Sequence, residues 1–178
     1  MLTLDPNYVI RPSLHHDFDA IKKLYITVAE QSDGLARLPH EITDAYIQEK
    51  LDKAIEQNLG FVVVYQNKTI AAEIHASRGP IKALAHVIHD LTLVVDPEHQ
   101  NKKLGTTLFK HLLAHIQQNF PKVSKIEIAA RASNERAIHV YKKIGFEIEG
   151  IFKKRIRNKE GILVDDIMMG WFNPSFKE

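Results

Sequence analysis

Between Asp90 and Phe109 the apolar spacing changes period once, and that single change fixes a strand, a turn and a helix in consecutive order. The first part, Asp90-Leu-Thr-Leu-Val-Val95, is a strand-like apolar run. Asp96-Pro-Glu-His-Gln-Asn-Lys-Lys103 is polar, and Leu104, Leu108, Leu112 and Ile116 then lie on one helical stripe as far as about Asn119, with Pro121 ending it. The turn puts Asn101, Lys102, Lys103 and Gly105 where a helix presents N–H groups that have no partner in the preceding turn. Such a junction receives phosphate or pyrophosphate, so the stretch reads as an anion cradle.

The rest of the chain is built to carry this junction. At 178 residues and 44% hydrophobic, it is expected to form a single domain, 1–178, with a sizeable core. Basic and acidic side chains nearly balance at 24 and 22, which argues against a nucleic-acid partner. The absence of cysteine excludes disulfides, thiolate metal sites and a cysteine nucleophile. The start, Met1-Leu-Thr-Leu-Asp-Pro6, has no secretory pattern, and no apolar run approaches the ~20 residues of a membrane span, so a soluble, cytoplasmic protein with no membrane partner is expected.

Tyr8-Val-Ile-Arg11 reads as the first strand, and Phe18, Ile21, Leu24, Tyr25 and Val28 place a helix over 15–31, broken at Ser32-Asp-Gly34. Thr43 caps a second helix running to about Asn58, with Ile42 stapled onto Ile47 and an inward face of Ile47, Leu51, Ala54 and Ile55. Phe61–Tyr65 and Thr69–Ala76 form a hairpin, in whose second strand Ile70, Ala72 and Ile74 alternate with Glu73 and His75. His86 to Val95 reads as one strand and Lys125–Ala130 as the next. A short helix follows Ser133-Asn134 and stops at Gly145, and Phe146–Lys154 and Val164–Trp171 close the chain around Asn158-Lys-Glu-Gly161. The fold class is α/β: a mixed, mostly antiparallel central sheet of about seven strands flanked by about four helices.

Two tracts in this order carry a resemblance. Leu93-Val-Val-Asp-Pro-Glu-His-Gln-Asn-Lys-Lys-Leu-Gly105 and Arg131-Ala-Ser-Asn-Glu-Arg-Ala-Ile-His-Val-Tyr-Lys-Lys-Ile-Gly-Phe146 resemble the acyl-CoA motif and the second motif of the GNAT superfamily of N-acyltransferases. The resemblance implies the GNAT fold and acetyl-CoA as cosubstrate. It implies that the backbone of Leu93, Val94 and Val95 pairs with the pantetheine arm, while Gln100, Asn101, Lys102, Lys103, Leu104, Gly105 and Thr106 hold the pyrophosphate. One position departs from the family pattern: Lys103 stands where a glycine is usual. An ordinary backbone there is expected, with the lysine adding a cation beside the phosphates.

Direct attack by an amine needs a base, a donor to the developing oxyanion and a proton for the departing sulfur. The resemblance offers Asp90 as base, sharing a strand face with Thr92 and Val94, and Tyr141 as the acid, a phenol ordinarily protonated at pH 7. Asn134 is assigned to the pantetheine amides, against the alternative of a plain helix cap. His86 and His89 point to opposite faces of one strand, so no metal is expected, while His86 on the Asp90 face is a candidate proton shuttle. Lys153-Lys-Arg155, Arg157 and Lys159 read as a solvated basic hairpin. Leu35 to Glu41 and the surroundings of Phe152 are expected to shape the acceptor site.

The function expected is N-acetyl transfer to the primary amine of a small molecule, because Tyr141 to Gly150 is similar to bacterial amino-acid, phosphinothricin and polyamine acetyltransferases. The alternatives are acetylation of a protein N-terminus or lysine, against which Ala129 stands where the ribosomal-protein alanine type has glutamate, and a non-catalytic acyl-CoA sensor. A homodimer is an open possibility, since dimers are frequent in the family.

Overall fold

Arg11 and Asp17 determine how the first strand hands over to the first helix. In the computed structural model, which describes residues 4–32 and 34–178, β1 covers Tyr8–Pro12 and α1 covers Phe18–Gln31. The Arg11 guanidinium donates to both Asp17 carboxylate oxygens at 2.7 and 2.6 Å, and the Leu14 N–H donates to the same carboxylate at 2.8 Å. A buried carboxylate with three donors holds the chain reversal between the two elements. The expected break after α1 includes Asp33, and the reading of the chain start includes Met1 to Thr3; these residues lie outside the described ones.

The second helix, α2, covers Asp44–Glu56, and Thr43 Oγ1 accepts from the Tyr46 N–H at 3.2 Å, as an N-cap should. Ile42 and Ile47 are both buried in one cluster with Leu51, which is the expected staple. β2 (Gly60–Tyr65) and β3 (Thr69–Ser77) form the hairpin. The turn residues Gln66 and Asn67 both have positive φ, 49° and 56°, the geometry that matches strand twist. Then come β4 (Val87–Ile88), β5 (Asp90–Val95), α3 (Leu104–Asn119), β6 (Lys125–Arg131), α4 (Glu135–Lys143), β7 (Glu147–Arg157) and β8 (Leu163–Phe172).

The α/β class, the predominance of antiparallel pairing and the four helices agree with the sequence reading. The eight strands among the described residues fall into two four-stranded sheets, ordered β1-β2-β3-β5 and β4-β6-β8-β7. The stretch from His86 to Val95, expected as one strand, is two: Val87–Ile88 pairs in parallel with β6, and Asp90–Val95 lies beside β3 in the other sheet. A chain that changes sheets must break its own ladder, and the break falls at His89.

The chain groups into two units: residues up to Ser77 with Thr92–Leu113, and Arg78–Leu91 with Ala114–Glu178. In the first, the apolar faces of α1 and α2 (Ile21, Leu24, Tyr25, Val28; Ile47, Leu51) join Val62, Val64, Ile70 and Val94 in one buried cluster. In the second, β8 is central, pairing with β6 from Lys125↔Phe172 to Arg131↔Asp166 and with β7 on its other edge. The basic β7 is paired with acids: Lys153 Nζ lies 3.1 Å from Asp165, whose other oxygen accepts the Lys154 N–H at 2.8 Å. No helix among the described residues is long and apolar enough to cross a membrane.

Burial alone would raise the Asp17 carboxyl pKa, but the Arg11 fork and the Leu14 N–H outweigh it and hold the group below its ordinary value. A lowered folded-state pKa stabilises the fold above the unfolded value, about 3.9, and the contribution is lost as pH falls through the folded one. Asp17→Asn is therefore expected to lower the urea midpoint at pH 7, and the gap from the parent to shrink progressively below about pH 4. An equal gap at pH 7 and pH 3 would show that the charge is not what matters.

Candidate active site

The turn between β5 and α3 is shaped by two left-handed residues. Asn101 and Lys103 both have φ of 62°, and Lys102 between them does not, so the sign alternates along three residues. Alternation of this kind turns successive backbone N–H groups toward one concave side. The first intrahelical bond of α3 runs from Thr107 N–H to Lys103 C=O at 3.0 Å, so the N–H groups of Leu104, Gly105 and Thr106 precede it and point out of the helix end. The expectation of an ordinary backbone at Lys103 is corrected here: the lysine occupies the conformation that glycine would take more cheaply, at a cost of about 1–2 kcal/mol.

Gly105 explains how closely the helix starts against the strand. A Cβ on it would stand 3.3 Å from Val95 Cγ2 and 3.4 Å from Leu93 Cδ2, so these two strand residues pack against the bare backbone of the first helical turn. Val94, between them, points into the buried cluster with Tyr25 and Val62. Leu104 is buried and anchors the helix from its first residue, while Gln100, Asn101, Lys102 and Lys103 are exposed.

The near side of the turn is pinned by residues that the sequence reading passed over. His99 is buried, and its Nδ1 lies 2.9 Å from the hydroxyl of buried Tyr8. Its ring meets Tyr8 edge-on at 5.7 Å and Tyr65 at 4.9 Å; Tyr8 and Tyr65 are register partners on β1 and β2. Asp96 adds two ties: its N–H donates to Ala71 C=O at 2.9 Å and its side chain accepts from Glu98 N–H at 2.8 Å. The Lys102 ammonium lies 5.8 and 6.0 Å from the Tyr8 and Tyr65 ring centroids, and its contact with the Tyr8 hydroxyl raises its pKa, keeping it cationic. The signal in the sequence was an aromatic on each strand of a pair with a histidine just before the turn.

The other sequence candidates, Asp90, Asn134 and Tyr141, lie in the second unit. Asn134 caps α4, its Oδ1 accepting from the Ala137 N–H at 3.1 Å, which is the cap reading of this residue. Tyr141, one turn before the end of α4, packs its ring 5.9 Å from that of Phe146, and burial pushes its phenol pKa up to about 12. Asp90 opens β5 and is half-buried. His86 is exposed and precedes β4, so the strand alternation that placed it on the Asp90 face does not hold across the break. Among the described residues no cluster of three or more histidine, aspartate or glutamate side chains could hold a metal.

A third group lies on β3, the strand in which Glu73 and His75 alternate with Ile70, Ala72 and Ile74. Every residue of β3 after Thr69 is buried, including Glu73 and His75, because this strand has neighbours on both edges and cover on both faces. The Tyr25 hydroxyl donates to Glu73 Oε2 at 2.7 Å and lies 3.1 Å from His75 Nδ1, which is itself 3.2 Å from Glu73 Oε1. Alternation of polar and apolar residues here marks two buried faces, one of them polar.

Comparison with known proteins fits this geometry. The chain matches the acetyltransferase (GNAT) family over residues 19–146, from α1 to the end of α4 and the turn after it. The chain belongs to the acetyltransferase (GNAT) family. The acetyltransferase is 29% identical over 153 residues to the L-amino acid N-acetyltransferase AaaT of Escherichia coli strain K12, an overlap of 85% of this chain and 91% of that one. Its fold is similar to that of a Sinorhizobium meliloti phosphinothricin acetyltransferase in complex with acetyl-CoA, at a TM-score of 0.84, 14% identity and coverage of 96% and 91% of the two chains. It is likewise similar to the Salmonella typhimurium protein yncA with acetyl-CoA, at 0.84, 15% and 97% of each chain.

The conformation of Lys103 yields a test with opposite signs for stability and binding. Lys103→Gly removes a left-handed side-chain cost of about 1 kcal/mol but adds unfolded-state freedom, so stability in urea should stay level or rise by up to about 1 kcal/mol. The same change removes a cation from the turn of the acetyltransferase. The calorimetric Kd for acetyl-CoA should rise severalfold at low salt, with the gap closing at high salt. A fall in stability of more than about 1 kcal/mol would contradict the left-handed geometry.

Proposed function

We propose that this acetyltransferase moves the acetyl group of acetyl-CoA onto the primary amine of a small molecule, of the amino-acid or polyamine kind. The observation that carries the cosubstrate is the left-handed turn of Asn101 and Lys103 ahead of α3, held against β5 at Gly105. Its donors suit a pyrophosphate: convergent backbone N–H groups, the positive end of a 16-residue helix and two exposed lysines. Strand β5 stands last in the order of its sheet, so the backbone of Leu93 and Val95 offers an edge for an extended amide-bearing arm to join as a further strand. The small-amine acceptor rests on the likeness to AaaT.

When bound, acetyl-CoA supplies an activated thioester carbonyl; the chain supplies orientation and proton handling. Gln100 to Thr106 fix the phosphate end, Leu93 to Val95 align the arm, and Asn134 is assigned to its amides through the part of the side chain not engaged in the cap. Asp90 is the residue assigned to draw a proton from the incoming ammonium. Tyr141 is assigned to the departing sulfur. A phenol held up to about 12 is a weaker acid than a thiol near 8.5, so Tyr141 acts by donating a hydrogen bond to the sulfur as charge builds on it.

Release of free thiol from acetyl-CoA in the presence of L-amino acids and polyamines tests the reading directly. Turnover with at least one such amine is expected; tight acetyl-CoA binding with no thiol release from any amine would sink it. Tyr141→Phe should lower kcat by about 10² to 10⁴ with acetyl-CoA affinity nearly unchanged. An unaltered kcat would leave the tyrosine as packing against Phe146. Asp90→Asn should shift or remove the acidic limb of the pH–rate profile.

A further inference from the structure

Strand β7 stands last in its sheet, and no strand of the described residues pairs with its outer edge. The opposite edge, β4, is two residues long and buried, too short to take a further strand. The register of β7 holds a bulge: Ile148 faces Met169 and Gly150 faces Met168, with Glu149 the extra residue. The bulge shifts the alternation by one. Ile148 and Ile151 therefore lie opposite Met169 and Ile167 and share one face of the sheet. On that face Ile126, Ile128, Ile167, Met169 and Trp171 are all buried, yet Ile148 and Ile151 are 47% and 51% exposed. The cover over the sheet stops at β8.

Beyond Phe152 a second irregularity, with Lys154 at φ 51°, ends the regular edge, so the segment open to pairing is Glu147 to Phe152. This segment complements itself. Set antiparallel to a second copy about a two-fold axis beside Glu149 and Gly150, it places each Ile148 opposite the other copy's Ile151, on the same face. A slip of one residue would set Ile148 against Gly150 or Phe152, which belong to the other face. On that other face Glu147 comes opposite Phe152, over whose ring the Arg155 guanidinium stands at 4.7 Å. The acidic end of one strand thus meets the basic end of the other. Glu149 and Lys153 are engaged within the chain, with Lys125 at 2.8 Å and Asp165 at 3.1 Å, and Arg155 lies 4.0 Å from Asp166. Gly150 adjoins the axis. A Cβ there would meet nothing within 4 Å and its φ is not positive, so the chain itself gives no reason for a glycine, whereas close approach of another backbone does.

We propose that two copies of this chain associate edge to edge through β7, antiparallel, joining their β4-β6-β8-β7 sheets into one, with Ile148 and Ile151 as reciprocal partners at the centre. The occupant of the edge is a second copy because the apolar pair, the register and the charge polarity of the segment each match their own two-fold image. Each isoleucine is removed from water by its opposite number, and the free backbone groups of the edge pair across the axis. Association closes at two, since the pairing edge is then used up. The charged, bulged stretch from Lys153 to Arg155 keeps the ladder from running further. The segment is short, so a reversible dimer with a Kd of about micromolar order is expected. The inference rests on the fold alone and stands whichever amine is acetylated.

Sedimentation of the full chain between about 1 and 100 μM should show monomer giving way to dimer. Ile148→Asp and Ile151→Lys should each leave a monomer over that range, with a Tm close to the parent's, because both side chains are exposed in the single copy. Mixing the two variants should restore a dimer, since the heterodimer carries one carboxylate–ammonium pair and one isoleucine pair, and added salt should weaken it. Val9→Lys, at an apolar residue of β1 that is 48% exposed, should leave the parent's dimer intact. Hydrogen exchange of the parent should slow within Glu147–Phe152 on going from about 1 to about 100 μM, which tests the edge even if a variant fails to fold. A parent that is monomeric throughout, a dimer that survives both single variants, or equal exchange at the two concentrations overturns the inference. Two folded monomeric variants that do not associate when mixed overturn the pairing of Ile148 with Ile151.

Discussion

The approach of α3 to β5 at Gly105 is the contact on which the geometry of the turn between them depends. Leu93 and Val95 fill the space a side chain would need there, so the helix begins against the strand and not one side-chain width away. That forces the preceding connection to turn within a few residues, and the turn is made with left-handed backbone at Asn101 and Lys103. The remainder is support from the same unit: Asp96 ties the strand end to Ala71, and His99 is locked to Tyr8 and Tyr65. A conformation expensive in isolation persists because the residues on both sides overdetermine it.

Two costs of this kind stand in the first unit, and they differ in sort. At Lys103 the cost is local backbone strain, of about 1–2 kcal/mol, and glycine would remove it. At Glu73 and His75 it is electrostatic: titratable groups placed in a layer otherwise packed with Ile21, Leu24, Val62 and Val94. Apolar side chains would serve packing better at both strand positions, as Ala72 and Ile74 do on the opposite face. Local choices that conflict with stability but are held by well-made neighbours mark where a fold is used for chemistry.

Much of the architecture was legible because it rests on local rules. The apolar periods of α1 and α2, the Thr43 cap, the Ile42–Ile47 staple, the β2–β3 turn and the strand–turn–helix of the motif each follow from residues within a few positions of one another. What was not legible depends on partners distant in sequence. That His86 to Val95 divides into two strands is a consequence of which strand each half pairs with, β6 or β3. That Glu73 and His75 are buried depends on the cover over β3, since an alternating strand reads the same whether its polar face meets water or a tyrosine from α1. The φ of Lys103 follows from how closely Gly105 must sit.

Proton accounting brings the separate candidates into one chemical scheme. Transfer of acetyl from sulfur to the nitrogen of an ammonium removes two protons from nitrogen and supplies one to the thiol, so one is released to solvent over a cycle. A phenol near 12 cannot by itself hand a proton outright to a thiolate near 8.5; it can share one while the charge develops. A carboxylate, near 4 on the ordinary scale, is a good conduit for a proton but a poor store. On the proposed assignment Asp90 passes the first proton of the amine on to water, and the second, lost as nitrogen joins the acetyl group, balances the one that the sulfur takes from solvent after Tyr141 has stabilised its departure.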